Sequence, residues 1–352
     1  DRHLVGERAS RASRRAVRVL LSPASPPERC DRALVRALAA AGHELTRSQL
    51  ARAFAEGEVT AGGRVLKPAL KIDQPLEVFV RLPEPEPLMR AEPEALPLAV
   101  IHEDDDLLVV DKPAGMVVHA SVGHARGTLV NAVLHHLGVG AAGLPVLAGN
   151  DSTRPGIVHR LDRDTSGVIV IAKHASAQEA LARQFRVHSL RRRYLGIVEG
   201  VPAWDERRVE TGHGRDPMDR RRFAPRVGAK RQAISEIGVV ERLGERAAVL
   251  AFTLHTGRTH QIRMHARYLE LPILGDALYG RAPRDERVRQ VVAEHIGGGG
   301  AGVRRHALHA ELLELVHPRS GEVVRWTAML PAELRGLVTA LRGDATPRGG
   351  AA

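Results

Sequence analysis

Short apolar runs separated by polar turns fill most of the chain beyond residue 98. Apolar runs of about four to eight residues predict buried strands, whereas apolar positions three and four apart predict a helix. Strands are predicted at 107–110, 168–171, 194–198 and 247–254, and a helix at 176–185. These elements do not alternate regularly, as those of a doubly wound parallel sheet do. The pattern therefore predicts an α+β domain with a mixed, mostly antiparallel sheet.

A smaller module is predicted ahead of this domain. A capping-box pattern at 46–49 is followed by Leu50 and Phe54, which share one helical face. Gly57 is placed to end that helix, because glycine accepts the left-handed backbone conformation found there. Three short strands are predicted after it, at 58–60, 64–66 and 76–80. The segment 28–81 is therefore predicted to fold as a small α/β module.

Changes in composition mark the boundaries between these parts. Residues 1–27 are rich in Arg, Ser and Pro and are predicted to form a disordered basic tail. Residues 82–97 carry five prolines and four glutamates, which favours an extended linker over a helix or a central strand. The larger domain is predicted to span 98–341, and a second disordered tail is predicted at 342–352.

The charge balance favours a polyanionic partner. Lys and Arg number 52 against 41 acidic residues, which gives a formal net charge of +11 at pH 7. Basic side chains release counterions when they neutralise phosphates, so such a balance suits nucleic acid. Only 3% of the residues are aromatic, which argues against a single-strand binder built on stacking platforms.

Several other classes of protein are disfavoured. The single cysteine, Cys30, allows neither an internal disulfide nor a cysteine-based zinc site. His255, His260 and His265 are spaced by five, which fits neither one helical face nor an HExxH motif, so we expect no metal. No Walker loop and no GxGxxG pattern opening a helix is present, so we expect no nucleotide cofactor. Without an apolar run of about 18 residues or a secretory signal, we expect no membrane contact and a cytoplasmic location.

The most polar loop of the larger domain leads directly into the strand predicted at 168–171. Its sequence, GIVHRLDRDTSG, spans residues 156–167. A carboxylate flanked by His and Arg at the entrance of a strand suits acid, base or nucleophilic catalysis. The same pattern also suits an aspartate, Asp162 or Asp164, that caps a turn beside a surface arginine. The residues by themselves leave both interpretations open.

Six segments of the larger domain carry a resemblance. They are DKPAGMVVH at 111–119, HRLDRDTSG at 159–167, RYLGIVEG at 193–200, TGRTHQIRMH at 256–265, ILGD at 273–276 and LHA at 308–310. In this order they resemble the RluA/RluC/RluD family of pseudouridine synthases, over roughly residues 98–334. The resemblance implies the pseudouridine synthase fold. It also implies an isomerase that breaks the N1–C1′ bond of a uridine in RNA and rejoins the base through C5, without a cofactor.

The resemblance also implies which side chains form the site. Asp162 is implied as the catalytic carboxylate, Arg263 as the ion-pair partner that keeps it ionised, and Tyr194 as the residue against the target base. Uridine must leave its stack to reach them. The residues expected to bind the RNA or shape its pocket are His159, Arg160, Arg258, His260, Gln261 and Lys112.

The module at 28–81 has a resemblance of its own. LTRSQL at 45–50 and EGEVTAGG at 56–63 resemble the S4 RNA-binding domain. An S4 module joined to this catalytic domain is similar to the RluC and RluD branches, which act on 23S, or large-subunit, ribosomal RNA. We therefore expect RNA as the partner, with 23S ribosomal RNA as the target, and a monomeric protein. Transfer RNA as the target, and an RNA-binding assembly factor without catalysis, remain the alternatives.

Overall fold

The computed structural model describes two units, which divide between Leu88 and Met89. The described residues are 16–23, 27–43, 47–81, 91–120, 126–147, 154–298 and 304–342. Among the helices in these ranges, none combines the length and the apolar character needed to cross a bilayer.

The first unit is a small module of helices and short strands, as predicted. Its elements are β1 (Ala16–Leu21), β2 (Glu28–Arg29), α1 (Cys30–Ala40), α2 (Arg47–Ala55), β3 (Val59–Ala61), β4 (Arg64–Val65), β5 (Lys71–Ile72) and β6 (Leu76–Arg81). Four strands form an antiparallel sheet in the order β1-β6-β3-β4, and β2 pairs with β5. Gly57 follows α2 with a φ of 71°, as its place in the sequence predicts. Cys30 is fully buried in the core of this module, and burial raises the pKa of its thiol to about 11.

The predicted tail over 1–27 is wrong for residues 16–21. Val17, Val19 and Leu21 are buried and alternate with exposed residues, so this segment forms β1 and pairs with β6. Such alternation is the pattern of a half-buried strand. The basic and polar residues around it favoured a tail, but burial of one apolar face outweighs the composition.

The predicted linker over 82–97 has no regular structure where the structure describes it. Residues 91–97 form neither helix nor strand. They nevertheless belong to the second unit, because Ala91 lies in its core and the Glu94 carboxylate accepts a hydrogen bond from the Gly127 N–H at 2.9 Å. Residues 82–90, Thr46 of the capping pattern, residues 1–15 and 343–352 of the predicted tails lie outside the described residues.

The second unit is built on one large sheet. Its elements are β7 (Ala99–Glu103), β8 (Leu107–Lys112), α3 (Leu129–His136), β9 (Ser166–Ala172), α4 (Ala175–Val187), β10 (Arg191–Glu199), β11 (Glu206–Arg215), β12 (Phe223–Pro225), β13 (Gln232–Leu243), β14 (Ala247–Leu254), α5 (Gln261–Tyr268), α6 (Glu286–Ile296), β15 (Leu308–Val316), β16 (Val323–Thr327) and α7 (Ala332–Arg342). The strand order is β12-β11-β13-β14-β10-β15-β9-β8-β7, and β16 also pairs with β15. β9 and β15 run parallel, and the other described neighbours run antiparallel. The α+β fold with a mixed, mostly antiparallel sheet is therefore confirmed.

The centre of this sheet is covered on both faces. Along β8, Leu108 and Val110 point into one apolar cluster, while Leu107 and Val109 point into another on the opposite face. β9 divides its side chains in the same way, and all seven of its residues are buried. Burial on both faces explains why these strands appear in the sequence as uninterrupted apolar runs rather than as alternating ones.

Gly167 fixes the loop that precedes β9. It has a φ of 117°, a conformation that residues with a side chain rarely adopt. A Cβ at this position would lie 2.1 Å from the Ala310 carbonyl oxygen, so only glycine lets the start of β9 approach β15. The short parallel pairing of these strands thereby sets the position of the polar loop at 159–165.

Candidate active site

The backbone of the polar loop is tied down on two sides. The Arg163 carbonyl oxygen accepts hydrogen bonds from the Gly115 N–H at 2.9 Å and from Lys112 Nζ at 3.0 Å. The Thr165 hydroxyl lies 2.7 Å from His306 Nε2, which joins the loop to the segment before β15. These contacts hold Asp162 in place, and its side chain remains 20% exposed.

Asp162 faces a guanidinium that a second carboxylate holds in place. Arg263, on α5, donates from Nη1 to Asp162 Oδ2 at 2.9 Å. Its Nε and Nη2 donate to the two carboxylate oxygens of Asp276 at 2.6 and 2.8 Å. The Asp276 carboxylate is fully buried and also accepts the backbone N–H groups of Leu278 and Tyr279. Bidentate pairing fixes the plane of the guanidinium, and so fixes the direction of the contact with Asp162.

The electrostatic environment favours an ionised Asp162. Burial raises the pKa of this carboxyl, but neighbouring positive charge more than reverses that effect and leaves the pKa below its usual value. A protonated His260 is the largest single cause of this lowering, and Arg263 lowers the pKa both by its charge and by its hydrogen bond. Burial lowers the pKa of His260 itself, so near neutral pH Arg263 is the cation that remains. The pKa of Arg263 is raised, because Asp276 more than offsets the effect of burial.

Tyr194 completes the central group. It lies on β10, is 8% exposed, and lines one pocket together with Asp162 and Arg263. Burial is the main cause that raises the pKa of its phenol, and the nearby Asp162 raises it further. The phenol is therefore protonated at neutral pH and offers one hydrogen-bond donor beside the carboxylate. The three residues implied to be catalytic thus meet in one place.

Arg160, Arg258 and His260 also line this pocket. Arg258 donates from Nε to the Gln232 carbonyl oxygen at 3.0 Å, and Arg160 is exposed at the rim. His260 adopts a left-handed backbone conformation with a φ of 57°, at the first turn of α5. Its Nε2 lies 3.9 Å from Asp162 Oδ2, and its Nδ1 lies 3.1 Å from the Tyr279 hydroxyl. A non-glycine residue in this conformation is uncommon and is held by its surroundings.

Gln261 borders the pocket but is engaged within the protein. Its Oε1 accepts hydrogen bonds from the Thr256 hydroxyl at 2.7 Å and from the Arg258 N–H at 3.0 Å. Its Nε2 donates to the Ile234 carbonyl oxygen and to the Ser235 hydroxyl, both at 2.9 Å. With both ends occupied, Gln261 shapes the loop that carries Arg258. The prediction that it binds RNA directly is not supported by this geometry.

His159 lies away from the pocket. Its ring stacks on Phe185 with the ring centroids 4.5 Å apart, and its Nε2 accepts the Val170 N–H at 3.1 Å. Burial and the nearby charge of Arg192 lower the pKa of His159 to about 3, so the ring stays neutral. His159 therefore anchors the loop to β9 and α4 and does not line the pocket, so its predicted contact with RNA stays a prediction.

Lys112 also makes its hydrogen bonds within the protein, and its predicted contact with RNA stays a prediction. It is fully buried, and its ammonium donates to the carbonyl oxygens of Pro113, Met116 and Arg163 at 2.7, 2.9 and 3.0 Å. Burial is the main cause that lowers the pKa of Lys112, to about 7. Sequence alone did not reveal that the ammonium binds backbone carbonyls of the loop that holds Asp162.

We expect Lys112→Met to destabilise the protein without changing the salt dependence of RNA binding. The substitution removes the Lys112 donor from three carbonyl groups, of which that of Arg163 keeps the Gly115 N–H, and a buried group left unsatisfied costs about 1–3 kcal/mol. Thermal unfolding measures the loss, and RNA titration at several salt concentrations measures the slope. A flatter slope with an unchanged Tm would instead return Lys112 to the RNA-binding residues.

Three residues of the site were not singled out in the sequence. Asp276 belongs to the segment 273–276 that carries part of the resemblance, yet nothing in the sequence indicates that it pairs with Arg263. Tyr279 places its ring 5.0 Å from the Arg263 guanidinium, and its hydroxyl accepts the Phe223 N–H at 2.7 Å. His306 supports Thr165, and burial is the main cause that lowers its pKa to about 4. A polar residue directly after an apolar run, as at 276, is the signal that was available.

Comparison with known proteins agrees with this geometry. The family described as RNA pseudouridylate synthase matches residues 106–268. The chain is 40% identical over 305 residues to ribosomal large subunit pseudouridine synthase D of Xanthomonas campestris, and the alignment covers 86% of each chain. It is 39% identical over 335 residues to an uncharacterized RNA pseudouridine synthase of Chlorobaculum parvum, and the alignment covers 92% of this chain and 96% of the relative. The synthase D of Zymomonas mobilis is 38% identical over 306 residues, with 86% and 91% covered.

A solved structure supports the fold. Human RNA pseudouridylate synthase domain containing 4 aligns with a TM-score of 0.51 at 22% identity, over 69% of this chain and 93% of the human one. The family match and these relatives define an isomerase that acts on RNA, and the fold agrees with it. More narrowly, the chain belongs to the RluA/RluC/RluD family of RNA pseudouridine synthases, as its motifs imply.

Proposed function

We propose that this enzyme converts specific uridines of large-subunit ribosomal RNA to pseudouridine, with Asp162 as the catalytic carboxylate. The observation that carries the proposal is the convergence of Asp162, Tyr194 and Arg263 on one pocket, with 2.9 Å between Asp162 Oδ2 and Arg263 Nη1. The reaction exchanges one bond between base and sugar for another within the same nucleotide. It consumes no oxidant and no energy source, so side chains suffice for it.

In this proposal Arg263 keeps the Asp162 carboxylate ionised and fixes its orientation. A carboxylate in a partly enclosed pocket tends to take up a proton, and a fixed guanidinium opposes that. Asp276 binds the other side of the guanidinium, so the charge is held without movement when substrate enters. Electrostatic groups that are already oriented need no rearrangement during the reaction.

Tyr194, Arg160, Arg258 and His260 form the surroundings of the flipped uridine in this proposal. Tyr194 presents a protonated phenol beside Asp162, which suits packing against a base and donating a hydrogen bond. Extrusion of a paired base costs a few kcal/mol. Arg160 is exposed at the rim, where a guanidinium can occupy the place that the base leaves. Arg258 contributes positive charge for the backbone.

The first unit serves as an RNA-binding module in this proposal. Its two helices and short strands support the S4-like interpretation, which rests on the segments 45–50 and 56–63. Large-subunit RNA is favoured over transfer RNA because two of the relatives are named ribosomal large subunit pseudouridine synthase D. A monomer in the cytoplasm completes the proposal.

Pseudouridine mapping tests this function directly. Unmodified large-subunit ribosomal RNA and transfer RNA are each incubated with the wild-type enzyme. We expect pseudouridine at defined positions in the ribosomal RNA. Modification of transfer RNA only would overturn the target. If neither RNA is modified while binding persists, the chain acts instead as an RNA-binding assembly factor.

A further inference from the structure

Arg192 is a buried guanidinium with two unused hydrogen-bond donors. It lies on β10, is 7% exposed, and its Nε and Nη2 are buried without a hydrogen-bond acceptor among the described residues. No carboxylate among the described residues forms an ion pair with it. Burying a charge without a partner is costly, and proteins retain such charges where a ligand supplies the missing partner. The unused donors of Arg192 therefore favour a ligand of negative charge.

The neighbours of Arg192 hold it in place without neutralising it. Its guanidinium carbon lies 5.6 Å from the centre of the Phe185 ring, which also stacks on His159. Burial lowers the pKa of Arg192, Tyr194 raises it, and the positive charge of Arg258 lowers it again. Arg192 on β10 and Arg258 in the loop after β14 thus lie close together, which favours an anion between or beside them.

Space beside the guanidinium depends on Gly257. A Cβ at Gly257 would lie 2.5 Å from Arg192 Nη1, so a side chain there would displace the arginine. Gly257 precedes Arg258 in the segment that also carries His260 and Arg263. The arginine therefore lies against the same loop that forms one wall of the active pocket.

The position along β10 relates Arg192 to the target base. Arg192 and Tyr194 are two residues apart, and both are buried whereas Arg191 and Arg193 are not, so they face the same side of the strand, roughly 6.6 Å apart along it. Arg191 and Arg193 face the other side, where Arg193 pairs with Glu311 at 2.6 Å. Arg192 thus lies next to the residue that the proposed function places against the uridine.

We propose that Arg192 binds a backbone phosphate of the substrate RNA next to the target uridine, through the edge of its guanidinium that Nε and Nη2 form. These two nitrogens point in parallel and match the two non-bridging oxygens of a phosphodiester. The inference rests on the proposed function and adds to it the anchor for the flipped nucleotide. A nucleotide held by its phosphate and by its base is fixed at both ends.

The phosphate comes from RNA rather than from free ions. Nε and Nη2 lie beneath the surface, so neighbouring side chains must shift before an anion reaches them. A small ion gains little binding energy for such a shift. An RNA bound along the rest of the surface gains enough from its other contacts, because remote binding energy can be used for local rearrangement.

RNA titration tests the contact with a charge-matched control. Arg192→Met and Arg191→Met are compared in the Asp162→Asn background, with a fragment of unmodified large-subunit ribosomal RNA as the probe. We expect Arg192→Met to weaken binding about tenfold or more, as for hydrogen bonds to charged groups. The slope of log K against log salt should fall by about 0.7–0.9, the value for one phosphate contact. Arg191→Met should change neither quantity. If both variants weaken binding equally, Arg192 contributes only non-specific electrostatic attraction, and the proposal is overturned.

Thermal unfolding separates this role from a structural one. A guanidinium that stabilises the fold would lower the Tm when it is replaced, whereas removal of an unpaired buried charge is neutral or stabilising. We expect Arg192→Met to keep or raise the Tm. A lowered Tm with an unchanged salt slope would overturn the proposal. A rise in wild-type Tm with inorganic phosphate, absent in Arg192→Met, would assign a site for free anions instead.

Neutral linkages in the RNA locate the phosphate. Methylphosphonates are placed one at a time around the target uridine, and binding by each protein is measured. At one linkage we expect the neutral group to weaken binding by the protein that retains Arg192. The same neutral group should not weaken binding by Arg192→Met any further, because the phosphate and the guanidinium form one contact. Additive losses at every linkage would contradict the contact. The RNA titrations with Arg192→Met and Arg191→Met need no turnover, so failure of pseudouridine mapping would count against the proposed function alone.

Discussion

Asp162→Asn is expected to abolish pseudouridine formation while RNA binding stays close to that of the wild type. The amide keeps the size of the carboxylate and can still accept a hydrogen bond from Arg263 Nη1. It loses the negative charge and the basicity that attack on the nucleotide or removal of a proton requires. Catalysis by such a group contributes at least about 100- to 10,000-fold, so turnover should fall below detection.

Asp164→Asn is the matched control for this experiment. Asp164 lies two residues away, and its carboxylate pairs with the exposed Arg163 at 2.8 Å. The sequence by itself left both aspartates open, whereas the pocket contains Asp162 alone of the two. We expect the control to retain activity within a few-fold, since exposed pairs contribute about 1 kcal/mol or less. Time courses of pseudouridine content compare the turnover of the two variants. Measurable turnover by Asp162→Asn would contradict the catalytic role of Asp162.

Arg263→Met is expected to lower the free energy of unfolding by about 3–5 kcal/mol and to abolish turnover. The substitution removes the partner of two carboxylates, of which Asp276 is fully buried, and an uncompensated buried charge is costly. Asp162 also loses the cation that lowers its pKa, so more of it is protonated at a given pH. Urea unfolding at pH 7 measures the loss of stability.

The pH dependence of that loss has a defined sign. Burial raises the pKa of Asp276, but Arg263 more than reverses this and leaves it below the usual value. A carboxyl with a lowered pKa contributes stability above its unfolded pKa of about 3.9, and this contribution is lost as the pH falls through the folded value. The difference between wild type and Arg263→Met should therefore be largest near neutral pH and shrink below about pH 4. A difference that is constant with pH would exclude the ion pair as its cause.

A second substitution separates stability from catalysis. Arg263→Met combined with Asp276→Leu removes both members of the most buried pair. Replacement of a whole buried pair by apolar groups is far less harmful than removal of one partner, so part of the stability should return. Activity should not return, because Asp162 still lacks its cation. Recovery of turnover in the double variant would mean that Arg263 acts only through Asp276.

The elements with uninterrupted or helical apolar patterns were predictable from the sequence. The strands at 107–110 and 168–171 are uninterrupted because both faces of β8 and β9 are buried. The helix at 176–185 follows from its apolar face, and the structure extends it to Ala175–Val187. β1 was missed because three alternating apolar residues are a weak signal inside a basic segment.

The direction of a polar side chain was not predictable. Gln261, His159 and Lys112 all lie in the matched motifs, yet each one points to backbone or to another side chain of the protein. Asp162 and Arg263 were correctly paired because the resemblance supplied the pairing, since 101 residues separate them. The bond from Arg263 to Asp276 depends on where α5 and the loop after it meet. Only the three-dimensional structure contains that information.

The pairing of β9 with β15 also determines when the enzyme becomes competent during its synthesis. The loop with Asp162 is held by contacts of Thr165 with His306 and of Gly167 with Ala310, which lie more than 140 positions later in the chain. Contacts of such separation form late, because a long loop must close before they are made. A nascent chain that has passed Asp162, Tyr194 and Arg263 therefore still lacks a formed active site. Competence begins only after the ribosome has released β15.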